Sequence, residues 1–317
     1  MQRANLPYCS SGIVHRTNRY PGAVVETQKI TILDGGMGQE LVRLSGLEPT
    51  GLWSTRIMME RPDLVGEIHD SYFAAGAHAA TANTYAIHRD RLRPNGIEDR
   101  LEALQQQACE IACRSRDAHG SGSVVGSVGP LGWSYSHDGA PPEDESTELY
   151  AEICRIQADF VDSYLIETIA SIEQARAAVT GALGHGKPVW IALTVDDGDG
   201  TKLRSGESLS DAVREVAALS PQAILLNCSI PEAVAAGLTT LPETDLPTGG
   251  YANGFTGISK EFLSAGSAVT KLTSRVDLTP DAYADYVGGW IASGATIVGG
   301  CCEVGPAHIA ELARRFG

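Results

Sequence analysis

Positive charge is scarce in this 317-residue chain: 24 Lys and Arg stand against 39 Asp and Glu, a formal net charge of −15. A surface of that sign does not neutralise phosphates, so nucleic acid is excluded as an expected partner. Long apolar runs are missing as well. The longest charge-free apolar stretch, 286–302, is broken by Gly288, Gly289, Gly294, Gly299 and Gly300. It reads as a buried helix and strand, and no membrane partner is expected. The seven cysteines form an odd set with two adjacent members, a poor basis for a secreted disulfide framework and a better fit to a reducing cytoplasm. Residues 1–29 carry Arg3, Arg16, Arg19 and Lys29 against Glu26 but have no apolar core of about 7–15 residues such as a secretory signal needs. They read as an appended or disordered arm. His69, His88, His137 and His308 have no mutual spacing that suggests a ligand set or a triad, and read as packing or surface residues. No internal repeat or low-complexity tract stands out.

What is present is alternation. Short β-branched runs occur at 30–36, 78–81, 123–129, 160–168, 188–194, 223–228, 248–253 and 296–302, with helical patterns such as 61–75, 98–118, 171–183, 208–218, 280–293 and 306–316 between them. Ser171 ahead of Glu173, Pro280 after Thr279 and Pro306 after Gly305 are helix-start signals. Strand–helix alternation is the signature of a parallel α/β fold, and eight strands is the number a (β/α)8 TIM barrel requires. The expected architecture is one such barrel over 30–317, with a doubly wound sheet as its structural rival, because alternation alone does not reveal closure.

A barrel places its active site at the carboxyl ends of the strands, so those ends carry the functional reading. Cys301 and Cys302 follow Gly299 and Gly300, and Cys228 ends another strand. Adjacent residues of an extended strand point to opposite faces, so both cysteines reach one ion only if the backbone turns sharply there. Three thiolates with an open fourth position make a catalytic zinc arrangement. The competing reading, small buried hydrophobes, has about equal weight from the residues alone. Cys109 and Cys113, four apart on a helix, have no further ligand and read as core. Glu167 ends an apolar strand, where a carboxylate grips an ammonium, acts as a base or pairs at the rim. Asp34, ahead of Gly35 and Gly36, either binds substrate with the bared backbone amides or caps the next segment.

The strand ends Leu33-Asp34-Gly35-Gly36-Met37-Gly38, Gly126-Ser127-Val128-Gly129-Pro130, Ile166-Glu167-Thr168, Leu226-Asn227-Cys228 and Gly299-Gly300-Cys301-Cys302, with Leu52-Trp53-Ser54, resemble the homocysteine S-methyltransferase family. These are zinc-dependent barrel enzymes that methylate homocysteine to methionine. The resemblance runs from about Ile32 to Leu312 and implies Zn²⁺ on Cys228, Cys301 and Cys302, with Glu167 on the homocysteine amino group. Asp34 and Gly35 match the segment lining the homocysteine site. Leu52-Trp53-Ser54 is similar to members using S-methylmethionine or S-adenosylmethionine as a sulfonium donor, for which Trp53 or Tyr85 offers an aromatic face. Two departures lie near the expected donor side: Thr81-Ala82-Asn83-Thr84-Tyr85 follows the family loosely, and Glu303 stands where Gly is more usual. A metal-dependent barrel hydrolase would want His and carboxylate ligands at several strand ends. A zinc-thiolate or redox-sensing protein without methyltransferase activity would leave Glu167 and Asp34 idle.

Overall fold

A computed structural model of the chain describes residues 29–47, 52–259, 262 and 272–317. The arm expected at 1–29 therefore lies outside the described residues except for Lys29. Eight strands occur in it: β1 (Thr31–Ile32), β2 (Ala79–Thr81), β3 (Ser123–Val128), β4 (Ser163–Ile169), β5 (Val189–Leu193), β6 (Ala223–Asn227), β7 (Thr248–Tyr251) and β8 (Ile297–Val298). All neighbouring pairs are parallel, in the order β1-β8-β7-β6-β5-β4-β3-β2. The remaining seam, between β1 and β2, is bridged by the backbone: His78 N donates to Ile32 O at 2.7 Å. Side chains complete it, with Ile32 N donating to His78 Nδ1 at 3.0 Å and Thr81 N to Asp34 Oδ2 at 2.7 Å. The sheet is thus a barrel and not the doubly wound alternative.

Side chains sort into two apolar layers. Leu33, just past β1, joins Val125, Leu165, Leu225, Tyr251 and Ile297 from five strands in a compact interior cluster. The larger cluster joins the outer strand faces to the surrounding helices, with Tyr72, Tyr150, Tyr164 and Trp290 fully buried. Helix starts follow their sequence signals: Ser171 Oγ accepts from Gln174 N at 3.2 Å, and Thr279 Oγ1 accepts from Ala282 N at 3.3 Å. Each such cap satisfies one orphan N–H and is worth roughly 1 kcal/mol.

The outer expectations for β1 and β8 were too long. Both ladders stop after two residues, and 33–36 and 299–302 bend into the barrel mouth instead. The run starting at Phe160 also overreached, because Phe160 N and Val161 N both bond back to Gln157 O and finish the preceding helix. None of the helices among the described residues is long and apolar enough to cross a membrane.

Candidate active site

The carboxyl ends of the strands open into a cavity continuous with solvent. Asp34, Gly35, Trp53, Tyr85, Glu167, Cys228, Cys301 and Cys302 all line it, so the fold brings together every site residue expected from the sequence.

The thiols of Cys228, Cys301 and Cys302 lie within 4.8 Å of one another. Their convergence is enforced by backbone. Cys228 N donates to Tyr251 O at 3.1 Å, Cys301 N to Ala252 O at 2.9 Å, and Gly254 N to Cys302 O at 2.8 Å. Asn253 Nδ2 adds a bond to Cys228 O at 2.8 Å. The loop after β7 thereby ties the β6 cysteine to the β8 pair. The glycines before the pair serve close approach rather than a left-handed turn: a Cβ on Gly300 would lie 2.1 Å from Val304 Cγ1, and one on Gly299 2.6 Å from Leu33 Cβ. The left-handed positions are Cys228, at φ 50°, and Glu303, at φ 65°. That explains why glycine suits the position after the paired cysteines. Glu303 does not line the cavity, and its carboxylate accepts from Gln39 Nε2, so it does not reshape the donor side as its sequence position suggested.

Six non-glycine residues among those described have positive φ, and four of them, Trp53, Tyr135, Thr168 and Cys228, line this cavity. Strained backbone of this kind persists where the surroundings over-determine it, and it clusters at functional sites. Thr168 shows how: its N–H donates to Asn227 Oδ1 at 2.9 Å while Asn227 Nδ2 donates to Thr168 Oγ1 at 3.1 Å.

The thiols share protons unequally. Against the burial that raises it, hydrogen bonds from Cys301, Cys302 and Tyr135 hold the Cys228 thiol well below its ordinary range. Hydrogen bonding to Cys228 first, and burial with it, pushes Cys301 up. The Tyr135 hydroxyl lies 3.0 Å from Cys228 Sγ, and the Arg204 guanidinium packs 5.0 Å from the Tyr135 ring centre. Sequence reasoning missed this tyrosine, which stands in the loop after β3 with no local signal marking it.

Glu167 is 8% exposed. Ser127 Oγ donates to its Oε1, and Tyr251 OH donates to its Oε2 at 3.1 Å. Burial pushes its pKa up to about 7, against those two hydrogen bonds. Burial also lifts Asp34 to about 7, opposed by Thr81, whose N and Oγ1 bond its two oxygens at 2.7 and 2.6 Å. Asp34 is therefore the side-chain stitch of the barrel seam, and the adjacent Gly35 brings backbone to the cavity wall. A Cβ on Gly35 would lie 2.1 Å from Val304 O.

On another part of the wall, Trp53 and Tyr85 meet edge to face with ring centres 6.1 Å apart. The Trp53 indole N–H is buried without a partner among the described residues. Arg91 stands 5.5 Å from the Tyr85 ring centre, so a guanidinium already occupies one approach to that aromatic face.

The metal-ligating potential rests on the sulfurs. Tetrahedral zinc with Zn–S near 2.3 Å places its sulfurs about 3.8 Å apart, a spacing compatible with three sulfurs that lie within 4.8 Å of one another. The donor set, soft and anionic when deprotonated, suits zinc and not the hard cations. Among the described residues no second group of His, Cys, Asp or Glu converges as closely, which leaves a metal hydrolase without its ligands.

Comparison with known proteins gives a consistent picture. Residues 31–316 match the family described as homocysteine S-methyltransferase. The chain is 29% identical over 320 residues to the homocysteine S-methyltransferase of Escherichia coli K12, covering 92% of this chain and 97% of that one. It is 32% identical over 316 residues to the methionine synthase of Mycobacterium tuberculosis, where it spans 91% of itself but 25% of that longer protein. Among solved structures, the metallated form of the homocysteine methyltransferase MmuM from Escherichia coli superposes with a TM-score of 0.75 at 28% identity, covering 93% of this chain and 99% of that one.

Proposed function

The chain belongs to the homocysteine S-methyltransferase family, and from that premise we propose that it moves a methyl group from a sulfonium donor to the thiol of homocysteine, giving methionine. The observation that carries the reading is one cavity holding three convergent thiols and a buried carboxylate with a pKa near 7. Homocysteine has the two complementary groups, a thiol and an ammonium.

Cys228, Cys301 and Cys302 would hold zinc. When bound, it supplies a Lewis acid that keeps a fourth, substrate thiol in its nucleophilic thiolate form at neutral pH. Glu167 receives the α-ammonium of the acceptor. A carboxyl with a pKa near 7 gives up its proton as that cation arrives, and Ser127 and Tyr251 hold the resulting carboxylate in place. Asp34, fixed by Thr81, positions Gly35 beside the acceptor. Trp53 offers its ring to the sulfonium, with Tyr85 as the edge-on support that orients it.

The transfer is a direct displacement. The homocysteine sulfur forms the new C–S bond, the donor C–S⁺ bond breaks, and its electron pair stays on the leaving thioether. The thiol proton has gone to solvent, and the leaving sulfur needs none, so no general acid or base is required. What the protein supplies is alignment, with sulfur and methyl carbon brought to about 3–3.5 Å. A sulfonium methyl is the better electrophile than that of a quaternary ammonium, so S-methylmethionine and then S-adenosylmethionine are preferred over betaine. A reducing compartment such as the cytoplasm keeps the thiols available.

The test is zinc analysis of the purified chain together with methionine formation from homocysteine and each donor. About one zinc per chain and turnover with S-methylmethionine support the proposal. Zinc without turnover from any donor favours a zinc-thiolate protein of another kind.

A further inference from the structure

Arg89, Arg91 and Arg93 lie within five consecutive residues after β2, yet the fold gives them different tasks. Arg89 is held by Glu152 at 2.7 Å through two nitrogens, and Arg93 by Glu98 at 2.8 and 2.9 Å. Arg91 turns the other way, into the cavity, and is its one cationic lining residue among those described. No carboxylate oxygen among the described residues lies within 4.0 Å of its guanidinium nitrogens, whereas both neighbours form such pairs. A guanidinium offers five N–H donors. Among the described residues, the hydrogen bond Arg91 makes runs from Nη2 to Pro130 O at 3.4 Å, and its Nε is buried with no partner. The neighbouring Asp90 accepts from Gly132 N through Oδ2 at 2.6 Å and forms no ion pair with Arg91. The Tyr85 ring under the guanidinium, and the Ser134 hydroxyl 2.7 Å from the Tyr85 hydroxyl, fix this cation in place.

A half-buried arginine with spare donors, facing a cavity in a chain of net charge −15, is a receptor for an anion. Resting on the reaction proposed above, we propose that Arg91 binds the carboxylate of the methyl donor and so selects donors that carry one. The acceptor is the lesser fit. Its ammonium goes to Glu167, whose hydrogen-bond partners are Ser127 and Tyr251, and none of the groups touching Arg91 is among them. Because the guanidinium would repel a sulfonium held directly beside it, the carboxylate and the reacting sulfur must lie at opposite ends of the donor. The methionine skeleton meets that requirement.

The experiment compares two donors with the same reactive centre, S-methylmethionine and trimethylsulfonium, the second having no carboxylate. In Arg91→Gln the KM for S-methylmethionine should rise at least about tenfold, the loss expected for one charge-assisted bond. The KM values for trimethylsulfonium and homocysteine should stay within about twofold, since neither loses a partner. Arg91→Lys should recover part of the loss. Equilibrium dialysis of S-methylmethionine, without homocysteine, should show the same weakening. An equal loss for both donors, a loss confined to homocysteine, or unchanged dialysis would overturn the assignment. A wild-type chain that transfers no methyl group would refute the reaction, while dialysis still judges Arg91 by itself.

Discussion

The two functional walls of the cavity are built by different means. The cysteine wall is held by main chain: loops after β6, β7 and β8 exchange backbone hydrogen bonds at 2.8–3.1 Å, and the sulfurs have little freedom once those bonds form. The aromatic wall, with Trp53, Tyr85 and Arg91, is held by side-chain packing and keeps two buried nitrogens without partners among the described residues. A buried donor left unmatched costs roughly 1–3 kcal/mol, a cost a ligand can remove. The cysteine wall is thus complete before substrate arrives, and the aromatic wall is completed by it. Substitutions on the first should abolish chemistry, and those on the second should redistribute preference among donors.

The largest effect is expected at Cys228. Cys228→Ser should lose most bound zinc and more than about 100-fold in turnover. Its circular dichroism and thermal midpoint should stay close to wild type, because the barrel core does not depend on the metal. Atomic absorption and a methionine assay check this. Full zinc with full turnover would dissolve the distinction between the walls at its strongest point.

Glu167→Ala should come next. Losing a buried charge-assisted bond is worth about 1.5–3 kcal/mol, so the KM for homocysteine should rise roughly 10- to 100-fold with zinc content unchanged. If zinc leaves with the carboxylate, Glu167 belongs to the metal wall and its amino-group role fails.

The same carboxyl predicts a pH dependence of intermediate size. It is neutral in the free protein below about 7 and ionised when paired, so binding an ammonium releases a proton. Affinity should therefore fall toward tenfold per unit as pH drops below about 7 and level off above it. Methionine is the suitable ligand for titration calorimetry because it has no thiol to titrate. In Glu167→Gln the binding should be weak and flat. A slope that survives in this variant belongs instead to Asp34, which titrates in the same range.

Donor choice should show the smallest effect. At equal concentrations, methionine formation should rank S-methylmethionine above S-adenosylmethionine and both above betaine. Trp53→Leu should narrow the margin by about threefold to tenfold, the worth of one cation–π contact. Betaine in first place would show that the aromatic wall does not read a sulfonium.

Sequence legibility followed the same division. The strands and their terminal motifs were readable because β-branched runs, glycines and cysteines are local signals. All eight site residues read from those motifs line the cavity. The short ladders of β1 and β8 were not readable, since Leu33–Gly36 and Gly299–Cys302 have strand composition but bend inward under tertiary contacts. The contact of Tyr135 with Cys228 joins residues 93 apart, and no local pattern encodes it. Arg91 is chemically indistinguishable from Arg89 and Arg93 in sequence, and packing alone turns it inward. Helix Trp53–Glu60 was missed because its apolar positions are interrupted by Ser54, Thr55 and Arg56.

The most direct measurement is isotopic. Homocysteine labelled in its carbon backbone, incubated with S-methylmethionine and the zinc-loaded full chain, should give methionine bearing the backbone label. Chelation should stop the reaction and added zinc should restore it. No labelled methionine from the zinc-loaded chain, or equal yield after the metal is stripped, would contradict the account.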